Sequence, residues 1–215
     1  MKKIFFILLL LATISFYGKA QTEENKYTIG FDGGITYNVN AYQIAKNANY
    51  GNNYYGVSPR YNIGVDYGYN VSNRFRPRIE FKYVSVMYGL DFSNTIYNIT
   101  DKDFVTVNYF DINLHFDYLL LTIKNFQLFA SPALKYEFEL NAYPEVNWSP
   151  YLNMEHPGNL LGGAIAPIFK YNLSDHLGLT LTPEYTIFLE PFASGNSKPY
   201  YRYSGNFGIE YKFGD

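Results

Sequence analysis

The sequence predicts an all-β chain: an eight-stranded antiparallel up-and-down transmembrane β-barrel. Three observations carry this. From Tyr27 to Phe213 apolar residues recur on every second position, with no helical period. Aromatic residues make up 20% of the 215 residues, including 24 Tyr and 18 Phe, far above ordinary usage. Short and long connections alternate, as they do when turns lie on one side of a membrane and loops on the other.

The first element is an export signal. Met1-Lys2-Lys3 is a basic start, Ile4 to Phe16 is an apolar run too short to span a bilayer comfortably, and Gly18-Lys19-Ala20 places small residues where a signal peptidase reads. Residues 1–20 are therefore expected to be a signal peptide and 21–215 the barrel domain. Without Lys2, Lys3 and Lys19 the chain keeps 14 basic against 19 acidic residues, a formal charge of −5. That balance gives no support to a nucleic-acid partner held by counterion release. With no Cys, thiol catalysis, disulfides, cysteine-ligated metals and a lipid-anchored Cys are excluded.

Eight alternating segments follow. The first sets Tyr27, Ile29, Phe31, Ile35, Tyr37 and Val39 against Thr28, Asp32, Thr36 and Asn38. The second sets Tyr61, Ile63, Val65, Tyr67 and Tyr69 against Arg60, Asn62, Gly64, Asp66 and Gly68. In the third, Phe75, Ile79, Phe81, Tyr83 and Met87 oppose Arg76, Arg78, Glu80 and Lys82. The fourth opposes Phe110, Ile112, Leu114, Phe116 and Tyr118 to Asp111, Asn113, His115 and Asp117. The fifth has Leu134, Tyr136 and Phe138 against Ser131, Lys135, Glu137 and Glu139, and the sixth Ile165, Phe169 and Tyr171 against Lys170. The seventh sets Leu177, Leu179, Leu181 and Tyr185 against Thr180, Thr182, Glu184 and Thr186. The last sets Tyr203, Phe207, Ile209, Tyr211 and Phe213 against Arg202, Ser204, Asn206, Glu210 and Lys212. Tight turns are expected at 72–74, 122–125 and 174–176, and long loops at about 40–58, 89–103, 141–158 and 190–200. Gly33-Gly34 and Gly162-Gly163 read as places where strands bend around a small barrel.

Both soluble and membrane barrels alternate, so the side that faces inward must be decided. An eight-stranded barrel has an interior only just wide enough for its own side chains. The aromatic mass of the apolar face does not fit there, whereas lipid accepts it and Tyr favours the membrane interfaces. The polar face is then the lumen. Its cations (Arg60, Arg76, Arg78, Lys82, Lys135, Lys170, Arg202, Lys212) nearly balance its anions (Asp32, Asp66, Glu80, Asp111, Asp117, Glu137, Glu139, Glu184, Glu210). Buried charges are tolerated only when paired, so a cross-linked plug is expected in place of an open channel. Arg76 and Arg78 should lie opposite Asp117 and His115.

The signal peptide, the eight-strand meander and the segment Tyr109-Phe110-Asp111-Ile112-Asn113-Leu114 resemble the PorT-like outer-membrane β-barrel family of Gram-negative bacteria. In that family the central segment commonly reads aromatic-Leu-Glu-Ile-Pro-Leu, and Asn113 stands here where Pro is usual. Gly162-Gly163-Ala164 and Asn172 to Leu179 are similar to the penultimate hairpin. The resemblance implies an OmpA/OmpX-like barrel in the bacterial outer membrane; fold alone does not imply a task.

Candidate sites follow from this layout. The lumen network is expected to comprise Arg76, Arg78, Glu80, Lys82, Asp111, His115, Asp117, Lys135 and Glu137. Tyr42, Tyr54, Tyr55, Tyr143, Trp148 and Tyr151 in the long loops are candidates for contact, because rigid aromatics and amides suit sugars or proteins. Expected partners are outer-membrane lipid and, through the loops, envelope proteins or surface glycans. No catalytic constellation, cofactor or metal site is expected. Glu137 and Glu139 read as a salt-bridged ladder, and Asp101-Lys102-Asp103 lacks the spaced ligands of a calcium loop. A non-conducting structural or interaction barrel is the leading reading. The alternatives are a narrow pore and a lipid-modifying enzyme, for which His156, near Ser149, would be the base.

Overall fold

The computed structural model describes residues 26–38, 43–47, 50–56, 59–94, 99–144, 158–189 and 200–214. The expected signal peptide lies outside them. Among the described residues ten strands form one antiparallel sheet, and no helix occurs. They are β1 (Tyr27–Asn38), β2 (Gln43–Asn47), β3 (Tyr50–Gly56), β4 (Arg60–Tyr69), β5 (Phe75–Asn94), β6 (Ile99–Ile123), β7 (Phe126–Pro144), β8 (Leu160–Asn172), β9 (Leu177–Phe188) and β10 (Tyr200–Phe213). Eight of them close into a barrel in the order β1-β4-β5-β6-β7-β8-β9-β10, and β10 pairs back onto β1.

The tight turns share one rim with both ends of the barrel. Two are built alike: the Ser72 hydroxyl accepts from the backbone N–H of Arg74 and Phe75, and Ser174 accepts from His176 and Leu177. A side-chain oxygen thus replaces a backbone acceptor in the turn. The third is a two-residue turn at Lys124-Asn125, with Lys124 at φ 52°.

Two aromatic girdles mark the membrane boundaries. Near the turns, Tyr27 packs against Tyr67, Tyr69 and Phe213 with centroids 5.3–5.9 Å apart, and His176 stacks on Tyr211. Towards the other rim Tyr61 stacks on Tyr83 and Tyr185 on Tyr201, with Tyr203 tilted against Tyr185. Aliphatic residues and Phe fill the band between, with Phe31, Ile63, Leu134, Ile165, Leu181 and Phe207 all exposed to lipid. Above the outer girdle polar pairs appear between β6 and β7: Asn108, itself buried, donates from Nδ2 to Asn141 at 2.7 Å.

The strands do not stop at that girdle, and here the expected loops need correction. Residues 89–94 and 99–103 are strand, forming the upper part of the β5–β6 hairpin, and 141–144 extend β7. The 25 residues of β6 reach roughly 80 Å along the strand, against about ten residues needed to cross the bilayer. Part of the expected first loop is also strand: β3 pairs with Tyr88–Asn94 of β5, on the edge that β4 uses lower down, and β2 pairs with β3. A wall of five strands therefore stands above the outer rim.

The β8–β9 seam is interrupted. Ile165 pairs with Tyr185 and Phe169 with Leu181, in one continuous register, so Pro167 and Pro183 face each other between them. Neither has an N–H to give, and the ladder is missing over these positions. Roughly 13 Å of seam lacks backbone bonds at mid-height in the membrane.

Candidate functional site

Alternation sends one side chain in two to the lumen, and the barrel is too narrow to hold large residues on every strand. The structure divides the task. β1, β4 and β10 offer Gly at inward positions, while β5 brings the long charged side chains Arg76, Arg78, Glu80 and Lys82. A Cβ on Gly64 would stand 2.9 Å from Lys82 Cε, and one on Gly68 3.2 Å from Arg76 Cδ. Gly34 and Gly162 sit where a Cβ would meet backbone oxygens, of Gly205 at 2.1 Å and Ile187 at 2.7 Å. These pairs of glycines therefore serve close approach of the chain, with Gly33 and Gly163 on the outer side.

The expected pairing across the β5–β6 hairpin is present: Arg76 lies opposite Asp117 and Arg78 opposite His115. Arg76 donates to Asp117 through Nε at 3.0 Å and Nη2 at 2.7 Å, and crosses the lumen to Glu210 at 2.5 Å. Lys170 binds the other oxygen of Glu210. Arg78 reaches Asp117 at 3.2 Å and Asp66 at 3.4 Å. Lys82 lies 3.0 Å from Glu80 and 3.3 Å from Asp32, and Lys135 donates to Glu184 at 2.6 Å. Arg202 binds Glu137 and donates from Nε to Asn38 at 3.0 Å. All nine residues expected in the network are buried inside the barrel.

His115 joins two parts of this network. Its Nδ1 is 3.1 Å from Ser131 Oγ, and its Nε2 3.3 Å from Glu80 Oε2. The order Ser131, His115, Glu80 has the look of a nucleophile, base and acid. However, the Ser131 hydroxyl donates to Asp117 at 2.6 Å, and Ser131 is fully buried. The cavity beside His115, lined by Asp32, Asp66, Arg78 and Thr182 among others, has a volume of about 20 Å³, room for about one water.

An apolar cap, absent from the sequence reading, closes the lumen towards the outer rim. Val84, Val86, Val107, Tyr109, Leu160 and Phe188 are each at most 3% exposed. The Arg202 guanidinium lies among them, 4.8 Å from the Phe188 ring centroid and 5.7 Å from that of Tyr109. Lower down, Arg76 lies over Phe129 at 5.2 Å. Such contacts compensate a desolvated cation. The signal in the sequence was Tyr109 beside Phe110, two aromatics that cannot share a face of one strand.

Of the contact candidates, Tyr42, Trp148 and Tyr151 lie outside the described residues, as do His156 and Ser149. Tyr54 and Tyr55 belong to β3, and Tyr143 to the exposed upper end of β7. Asp101, Lys102 and Asp103 are strand residues of β6. Among the described residues no group of three or more His, Cys, Asp or Glu could hold a metal ion.

Comparison with known proteins agrees with this architecture. No curated protein matches the sequence. Among solved structures, outer membrane protein OprG from Pseudomonas aeruginosa has a TM-score of 0.57 at 15% identity, covering 89% of this chain and 98% of that one. Neisserial surface protein A has a TM-score of 0.55 at 12% identity, covering 87% and 97%. AlkL gives 0.50 at 10% identity, covering 92% and 94%. At these identities the likeness is one of fold. The sequence itself matches the outer membrane protein beta-barrel domain over residues 19–176. The chain belongs to that family and is an integral β-barrel protein of the bacterial outer membrane.

Proposed function

We propose that this barrel is a structural or interaction protein that neither conducts nor catalyses, and that it binds a partner of the cell envelope through the sheet above its outer rim. The observation that carries the proposal is the contrast between inside and outside. The lumen is filled by ion-paired side chains under an apolar cap, with a cavity that takes about one water. Outside, β5, β6 and β7 run far past the length a membrane needs, and β2 and β3 widen them into a wall. Backbone held in a sheet costs conformational entropy, and an ordered surface at that height serves recognition better than anchoring. Envelope proteins and surface glycans are the partner classes that suit it. The likeness to PorT-like barrels, carried by residues 109–114 and 172–179, fits an envelope role without specifying one.

The test is to tag the protein, extract it in mild detergent and ask what co-purifies in stoichiometric amount. A partner that is lost when residues 88–105 are replaced by a tight turn, while the barrel still folds, supports the proposal. Altered lipid A on expression, dependent on His156, would replace it with the lipid-modifying reading. Discrete conductance steps in planar bilayers would replace it with the pore.

A further inference from the structure

One inner-wall carboxylate is left out of the ion-pair network. Asp32, Asp66, Glu80, Asp117, Glu137, Glu184 and Glu210 each have a Lys, Arg or His partner. Asp111 is fully buried, yet both its oxygens lack a hydrogen-bond partner. Counting His115 as an imidazolium, the buried inward side chains balance overall, with seven cations (Arg76, Arg78, Lys82, His115, Lys135, Lys170, Arg202) to seven carboxylates (Asp66, Glu80, Asp111, Asp117, Glu137, Glu184, Glu210), so the deficit at Asp111 is a local one.

The deficit has a location. On β7 the residue directly opposite Asp111 is Glu137, also fully buried, so two carboxyl groups meet across one strand pair. Like charges so placed repel. Each neighbouring cation is engaged elsewhere. Lys82, opposite Asp111 on β5, turns to Glu80 and Asp32; Lys135 turns to Glu184 on β9; Arg202 from β10 takes Glu137 Oε1. What remains is a group of unpartnered acceptors: both oxygens of Asp111, Glu137 Oε2, and Asn113 Oδ1, whose amide nitrogen is spent on Glu80. Asn113 follows Asp111 on the inward face of β6 and is likewise fully buried. Acceptors without a donor, in a place one positive charge short, require a cation.

The geometry points to a binding site for one monovalent cation between Asp111 and Glu137, with the Asn113 carboxamide oxygen as a neutral ligand. A sodium ion and a shared proton both carry the single charge that this place lacks. A divalent ion would overshoot the deficit.

The test uses the full-length barrel refolded into lipid vesicles. In the sodium case, sodium raises the urea midpoint of the wild type over N-methylglucamine at equal ionic strength, and Asp111→Asn abolishes that difference. In the proton case, the wild type shows a protonated-carboxyl infrared band at neutral pH that shifts in D2O and is missing in Asp111→Asn. In both, Asp111→Asn keeps a urea midpoint at or above that of the wild type, since it removes an unbalanced charge. The proposal is overturned if the wild type shows neither the sodium effect nor the band. It is equally overturned if Asp111→Asn fails to fold or loses stability as Asp117→Asn does, because Asp111 would then be paired with a fixed cation.

Discussion

At the scale of single residues, the glycines of the barrel differ by what stands in front of them. Gly34 faces the backbone oxygen of Gly205, so a methyl group there would displace a strand; Gly205 has open space where its own Cβ would go. Gly34→Ala should therefore lower stability by about 1–3 kcal/mol, the cost of forced overpacking. Gly205→Ala should stay within about 0.5 kcal/mol of the wild type. Urea titration in vesicles reads both, and equal effects would contradict the close-approach account. The ion pairs give a second contrast. Asp117 is fully buried between Arg76, Arg78 and Ser131, so Asp117→Asn takes from two buried guanidiniums the carboxylate they share and should cost about 3–5 kcal/mol. A loss below about 1 kcal/mol would mean that water reaches the network.

At the scale of strands, the β8–β9 seam is where the wall is least tied. Two proline carbonyls face each other at a depth where lipid offers no donor, a state that costs free energy. Pro183→Ala restores an N–H aimed at the Pro167 carbonyl and should stabilise the barrel by about 1 kcal/mol. The new amide should be protected in hydrogen exchange; rapid exchange there would show that the seam is held open for another reason. The strands also show how far the sequence could be read. Within the membrane, alternation is enforced by lipid on one side and the lumen on the other, and all eight barrel strands were legible from it. Above the girdle no lipid demands apolar residues, so Gly89, Asp91, Ser93 and Asn94 carry no period while the hydrogen-bond ladder continues. That is why the upper β5–β6 hairpin and β3 read as loops. The facing prolines were visible as residues, but their juxtaposition depends on the β8–β9 register, which composition does not reveal.

At the scale of the whole molecule, the parity of the strands was enough to assign the charges that the structure buries to the inside, and the hairpin register gave Arg76 opposite Asp117. The pairs between strands that are not neighbours, Arg76 to Glu210, Lys135 to Glu184 and Arg202 to Glu137, were not legible, because they depend on how the sheet curves and closes and on glycine making room on the facing wall. On the proposal of a non-conducting barrel, these contacts and the apolar cap fill the lumen that a pore would need. The most direct test of this view is single-channel recording of the refolded protein in planar bilayers, run beside a sample whose unboiled gel mobility confirms folding. The closed lumen predicts a flat baseline across applied voltages, unchanged by salt. Discrete, salt-scaled conductance steps from folded monomer would contradict it.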